Sequence, residues 1–574
     1  MIKRASLLLV TLFVAVIGLV SGFHHKPATA AAAAWTAVTD DRLANAASDD
    51  GWLMYLRSYT SEGHVPFTQI TPDNVAQLKE AFTYSIPIPN GFEAPPIVNG
   101  STMIVTTPLD HVYAFDATSG KLLWKYDYPL SKAALRTVCC DVVNRGVALY
   151  KNYAYLETLD NHVVALDAQT GKPVWNKTMY SDPGVGFFMT GAPLIVKGQV
   201  IVGTGGGEYG ARGFLSALDP DTGGLKWRLY TVPSPSEPGG STWPGDTYKH
   251  GGGNVWVTGS YDPETDTLLW GVGNPGPWLS DQRKGKNLYT DSVLGINPNT
   301  GKIKWYYQQT PNDPWDYDAV NTPVLADITY NGQPRKVFYQ AARNGWFFVV
   351  DRTNGKFIYA KPFTKVTSVS GYDESGNAKV DPAMVPHVGK EVLTCPAFFG
   401  GDNWWSYSFD PKTGYAFVPT MHTCMTISGQ QPPAPFKAGL GYLQETFQVR
   451  PVPGQGWGSL QAIDLATGKQ VWSYDTKLPW NDGTLSTDTG LVFSGTPDQK
   501  FMAFDAKTGK VLWTHHMSSG VIGQPVSYQV DGTQYVAVMA GWGGVSPLWG
   551  GPKMVPAFKD IPLGGKLYVF KLSQ

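Results

Sequence analysis

The feature that most constrains this chain is a ten-residue signature, an apolar residue followed by Asp/Asn-x-x-Thr/Ser-Gly-x-x-x-Trp. It occurs clearly at 115–124, 166–175, 218–227, 296–305, 463–472 and 504–513. Looser copies begin at Tyr261, Val350 and Phe409. In each copy the Asp or Asn and the Gly suit a hairpin turn, because both tolerate left-handed backbone, and the Trp returns the chain to a buried face. Recurrence every ~40–80 residues, with about four short strands per period, marks a β-propeller, in which each blade buries its faces on its neighbours. The predicted fold class is all-β, one large domain over residues 35–574, with a blade count between seven and nine. No Ser/Pro-rich linker separates the copies, which argues against a string of small sandwiches. Helical pattern is scarce, the best stretch being the capped segment 71–81.

Composition agrees. Gly 64, Pro 43 and Trp 20 beside only 16% charged residues describe tight turns and large buried aromatics rather than long solvated helices. A net charge of -1 gives no electrostatic footprint for nucleic acid or anionic lipid. Lys3-Arg4, an apolar run from Ala5 to Val20 and small residues from Ala28 to Ala34 read as a cleavable signal over residues 1–34, so the mature chain is expected in the periplasm. That run is shorter than the ~20 residues a membrane span requires, and no later segment qualifies. The four cysteines of an exported chain predict two disulfides, and none forms the C-x-x-C-H of covalently held haem.

Two of those cysteines, Cys139 and Cys140, are adjacent in RTVCCDVVNRG. A bond between neighbours closes a strained eight-membered ring and has to be held by its surroundings. The non-repetitive insertions carry a further polar set: Glu208 after three glycines, Asn274 in GVGNPGPW, and Asp316 and Asp318 in NDPWDYDAV. Carboxylate and amide oxygens brought together from different blades suit a hard cation. Each residue taken alone also reads as a turn or cap residue.

The segments CCDVVNRG, GGGEYGARG, GNPGPW, DPWDYDAVN, ARNGWFFVVDRTNG and GGDNWW occur in the order found in the quinoprotein alcohol dehydrogenases, and the chain resembles that family over nearly its whole mature length. The resemblance implies an eight-bladed propeller holding pyrroloquinoline quinone (PQQ) and one metal ion on its axis. By position it implies a vicinal Cys139–Cys140 disulfide against one face of the PQQ ring and Trp256 against the other, with Cys395–Cys424 as the ordinary crosslink. It assigns Glu208, Asn274 and Asp316 to the metal, and Arg343 to the quinone's reactive carbonyl. Glu93, Arg145 and Thr190 fall to the cofactor's carboxylates and polar rim, and Asn403 and Trp480 to the pocket lining. Gly205 and Asn254 depart from the methanol-oxidising pattern, where serine and threonine contact the cofactor; a neighbour such as Thr204 is the expected replacement.

The implied chemistry is oxidation of an alcohol to an aldehyde or ketone. The metal polarises the quinone C5 carbonyl, Asp316 takes the hydroxyl proton as hydride moves, and Arg343 stabilises charge on the quinone oxygen. Asp318 bears on the metal. It lies two positions beyond Asp316, on the same side if the chain is extended, so both carboxylates are expected at one ion. Calcium-type members carry a small uncharged residue there and lanthanide-dependent members an aspartate, so a lanthanide is the first expectation and calcium the alternative. With no haem in the chain, a soluble cytochrome c is the expected electron acceptor. The segments 429–447 and 541–551 are expected to shape the pocket mouth and admit primary alcohols of modest size. The competing readings are a non-enzymatic periplasmic scaffold of outer-membrane assembly, which leaves the vicinal cysteines unexplained, and a propeller hydrolase, for which no activated nucleophile stands out. Oligomeric state has no signature in a chain of this kind.

Overall fold

The computed structural model describes residues 35–181, 186–550 and 558–573, together with Met554 and Pro556. The signal expected over residues 1–34 lies outside the described residues. Among them, no helix is long and apolar enough to cross a membrane. Seven four-stranded sheets and one five-stranded sheet follow one another along the chain, with a two-stranded and a three-stranded sheet as insertions. Almost all pairings are antiparallel between sequence neighbours, as short turns require. This is an all-β propeller.

The repeat signature forms the outermost hairpin of a sheet and staples it to the next. Asp116 Oδ1 accepts the backbone N–H groups of Thr118 and Ser119 at 3.1 and 2.9 Å, closing the turn. Trp124 Nε1 donates to Ala168 O at 3.0 Å, the residue after the Asp of the following copy. The same bond joins Trp175 to Pro220, Trp227 to Pro298 and Trp472 to Ala506, each at 2.9 Å. The Gly of each following copy must lack a side chain, since a Cβ on Gly171 or Gly301 would stand 2.4–2.5 Å from the preceding indole. The copy beginning at Val350 is genuine, with Tyr359 in the Trp position donating to Leu465 O at 2.6 Å. The copies at Tyr261 and Phe409 instead occupy inner hairpins, Ser260–Asp262 with Thr267–Gly271 and Ser408–Asp410 with Tyr415–Met421.

The last sheet is assembled from both ends of the described chain. Leu78–Ile86 pairs antiparallel with Gly565–Leu572, and Phe82 packs on Gly120 of the first sheet. Here the sequence expectation fails, because 71–81 holds only a 3-10 turn at Val75–Gln77 before this strand begins. Asn74 Oδ1 accepts Thr71 N at 2.8 Å ahead of the turn and leaves the turn itself without a side-chain cap, and pairing with the C-terminal strand overrides local helix propensity. The segment 50–63 crosses the inner ends of several sheets: Tyr261 N donates to Tyr59 O, Leu325 N to Thr60 O and Phe409 N to Glu62 O. It forms a buried floor beneath the inner strands.

Candidate functional site

One cavity, about 710 Å³ with its mouth included, collects residues from at least six separated loops. Its wall includes Glu93, Cys139, Cys140, Arg145, Thr190, Glu208, Trp256, Asn274, Asp316, Asp318, Arg343 and Asn403. Cys139 and Cys140 are bonded to each other and Cys395 to Cys424, so no cysteine is free among the described residues.

At one side Arg145 organises a polar rim. Its Nη2 lies 2.7 Å from Glu93 Oε2, its Nη1 donates to Thr190 Oγ1 at 2.7 Å, and the guanidinium sits 4.9 and 5.0 Å from the rings of Trp256 and Trp404. Arginine suits this position because a planar fork can pair with oxygens in its plane and stack on aromatic faces above and below. Burial pushes the Glu93 carboxyl up to about 7, with Asp141 adding to the rise and Arg145 opposing it.

On the other side Arg343 bridges two carboxylates, with Nη2 2.7 Å from Asp316 Oδ2 and Nη1 bonded to Asp318 Oδ2. Its Nε donates to Phe398 O at 3.0 Å, which fixes the plane of the fork. Asp316 and Asp318 converge, though not through an extended chain: Asp316 has φ 63°, and this left-handed turn brings both carboxylates to one guanidinium. Asp318 also accepts Trp256 Nε1 at 3.2 Å and the backbone N–H of Asn274. A Cβ on Gly273 would lie 2.6 Å from Asp318 Oδ1, so glycine is required there.

Three acids, Glu208, Asp316 and Asp318, thus face one guanidinium. Burial, then repulsion from Asp318 and Glu208, holds the Asp316 carboxyl well above its ordinary range against the pull of Arg343. Burial, then Asp318, pushes Glu208 up to about 7. Burial works against the Arg343 charge, but Asp316, Asp318 and Glu208 outweigh it and raise its pKa. No group of three acidic, His or Cys side chains among the described residues is arranged to hold an ion unaided. The oxygens near Gly207 are instead mixed: Asn254 Oδ1 and Asn274 Oδ1 each lie 3.2 Å from where its Cβ would be, and Glu208 is the next residue. Asn254 Oδ1 and Asp316 Oδ1 are buried without a partner. Unpaired hard oxygens beside an excess of carboxylate fit a hard cation.

Trp480 is a correction. It is absent from the cavity wall, its Nε1 donating to Ser494 Oγ at 3.2 Å and its ring packing near Tyr474 and Phe504 between two sheets. Thr204 does not replace the contact missing at Gly205 either, for it is fully buried and bonded to Phe214. Phe188 fills that place, its ring 2.5 Å from where a Cβ on Gly205 would stand. Asn403 lines the cavity but spends its amide locally, donating to Phe399 O at 2.9 Å and accepting Trp404 N at 2.8 Å. Sequence reasoning passed over Trp278, Phe398 and Trp404, although the first stands in GNPGPW with Asn274 and the last in GGDNWW beside Asn403. Of the expected mouth segments, 541–551 contributes Val545 and Trp549 to the wall, whereas 429–447 stands behind it. There Tyr442 N donates to Glu208 O at 2.6 Å, and Phe447 stacks on Trp549 at 5.9 Å.

A family model described as the β-propeller domain of glucose/ethanol/alcohol dehydrogenases with PQQ matches residues 52–377 and 362–536. The chain belongs to the PQQ-dependent alcohol dehydrogenases. It is 40% identical to a quinoprotein alcohol dehydrogenase of Pseudomonas putida over 534 residues, 89% of each chain. It is 40% identical over 508 residues to a 1-butanol dehydrogenase (cytochrome c) of Thauera butanivorans, covering 84% of this chain and 73% of that one. A europium-containing methanol dehydrogenase superposes with a TM-score of 0.89 at 34% identity, over 93% of this chain and 100% of that one. The cavity of this PQQ-dependent dehydrogenase is therefore the place to seek its chemistry.

Proposed function

We propose that the chain is a periplasmic dehydrogenase that oxidises primary alcohols of modest size to aldehydes, and secondary alcohols to ketones, with PQQ in the cavity and a cytochrome c as acceptor. The observation that carries this reading is that the vicinal disulfide, Trp256, the Arg145–Glu93–Thr190 rim and the Asp316–Arg343 pair all line one cavity. A scaffold protein gives no reason for that assembly. The eight larger sheets, read as eight blades of one propeller over 35–574, put the cavity at the hub.

In this reading Cys139–Cys140 and Trp256 provide the two flat walls for a planar ring, Glu93, Arg145 and Thr190 hold its polar edge, and Asn403 lines the pocket beside it. Glu208, Asn274, Asp316 and Asp318 hold the cation. When bound, PQQ and its cation supply a polarised carbonyl able to accept a hydride. Asp316 Oδ1, buried and without a partner, is the acceptor for the alcohol proton. Arg343, charged under all conditions and fixed by Phe398 O, holds that carboxylate in place and presents positive charge where negative charge develops. Phe398, Trp278 and Trp549 give the alcohol an apolar seat that excludes water.

The second aspartate at 318 and the likeness to a europium-containing enzyme support a lanthanide as the preferred cation, with calcium as the alternative. The name of the butanol-oxidising relative supports a cytochrome c acceptor. The test is dye reduction by metal-free protein refilled with PQQ and either lanthanum or calcium, across a series of alcohols. Alcohol-dependent turnover that needs both additions is expected; none with any alcohol or ion would reject the reading.

A further inference from the structure

Asp141 follows the vicinal disulfide, and the cavity wall does not include it. Its carboxylate nevertheless gathers three segments that do build that wall. Oδ1 accepts Asn90 Nδ2 at 2.6 Å and Val142 N at 2.8 Å. Oδ2 accepts Gly91 N at 2.8 Å and Gly544 N at 2.9 Å. Two of these partners lie on the segment leading to Glu93. Gly544 opens the helix Val545–Trp549, whose first and last residues line the cavity.

The backbones held this way touch. A Cβ on Gly543 would stand 2.2 Å from Gly91 N and 2.7 Å from Asp141 Oδ2, and a Cβ on Gly91 would stand 2.7 Å from Gly544 N. Phe92 N donates to Gly541 O at 3.1 Å, adding a second tie between the same two segments. Cys140 and Asp141 both adopt left-handed backbone, with φ 73° and 79°, and from this turn the carboxylate reaches the backbone of Gly91 and Gly544. Hydrogen bonds to a carboxylate are the stronger kind, and three of them, from two segments distant in sequence, hold a geometry that apolar packing alone leaves loose.

We propose that Asp141 is a positioning residue that locks the 544–549 helix and the Glu93 segment to the vicinal disulfide, and so sets how closely Val545 and Trp549 confine the alcohol. The proposal rests on the alcohol-dehydrogenase reading but has a signature of its own. In Asp141→Asn one acceptor oxygen becomes a donor that faces other donors. Hydrogen–deuterium exchange of the full-length protein should then rise at least tenfold in peptides covering 86–94 and 541–550, and stay within twofold in the first sheet, 97–126. In the reconstituted enzyme the KM for long-chain primary alcohols should change at least fivefold while ethanol kcat stays within threefold. Asn90→Ala, which removes only the Oδ1 bond to Asn90, should give a smaller change in the same peptides, and it serves as the test if Asp141→Asn does not fold. Unchanged exchange in both peptides overturns the proposal, as does faster exchange with an unchanged profile across alcohols. Wild-type protein that takes up no quinone rejects the functional reading instead, whatever the exchange shows.

Discussion

Asp316→Asn is the sharpest single perturbation of the proposed chemistry. The substitution keeps side-chain shape, and an amide oxygen can still accept Arg343 Nη2, now 2.7 Å from Asp316 Oδ2. What disappears is the basic, unpartnered Oδ1 inside the cavity. A positioned general base contributes roughly 10²–10⁴ in rate, or about 2.7–5.4 kcal/mol at about 1.36 kcal/mol per decade. Loaded Asp316→Asn should therefore lose at least a hundredfold in kcat, with KM within about threefold because no volume changes. A second readout needs no turnover. Burial and the neighbouring acids hold Asp316 well above its ordinary range and push Glu208 up to about 7, so before a cation enters both hold their protons more tightly than ordinary carboxyl groups. A bound cation favours the ionised forms, and its uptake should release protons. Calorimetric titration with the cation in two buffers of different ionisation enthalpy should count fewer protons released for Asp316→Asn than for the wild type. Full kcat in the loaded variant, or an unchanged proton count, would refute the assignment.

Arg145→Lys replaces a fork that meets Glu93 and Thr190 and lies against two indoles with a point charge, and should weaken PQQ binding at least tenfold, read by quenching of protein fluorescence. Asp318→Ala should lose lanthanum-supported activity at least tenfold more than calcium-supported activity; equal losses would remove Asp318 from the choice of metal. Trp472→Phe leaves Ala506 O without its donor and should cost about 1–3 kcal/mol in urea unfolding with activity unchanged, whereas unaltered stability would refute the stapling role.

Much of the architecture is legible in the signature, because one local motif plays the same physical part in sheet after sheet. Its Gly accepts the preceding indole and its Asp closes the turn. The ambiguity in count has a definite cause. The copies at Tyr261 and Phe409 mimic the motif but serve inner hairpins, and the last sheet shows no copy because its outer strand comes from Leu78–Ile86. That pairing spans nearly the whole chain, which is also why 71–81, read from its local pattern, resembles a helix. In the site, charged residues are legible because buried charge needs a reason. Trp278, Phe398 and Trp404 are not, because an aromatic residue in a wall and one in a core look alike in sequence. Trp480 misleads for the same reason in reverse.

The central claim is that a planar quinone lies between a sulfur bridge and an indole. The most direct measurement is the electron density of crystals grown with PQQ and a lanthanide. Flat density between Cys139–Cys140 and Trp256, with an ion among Glu208, Asn274 and Asp316, is the predicted result. A cavity that stays empty at saturating quinone, or quinone bound elsewhere on the molecule, would contradict it.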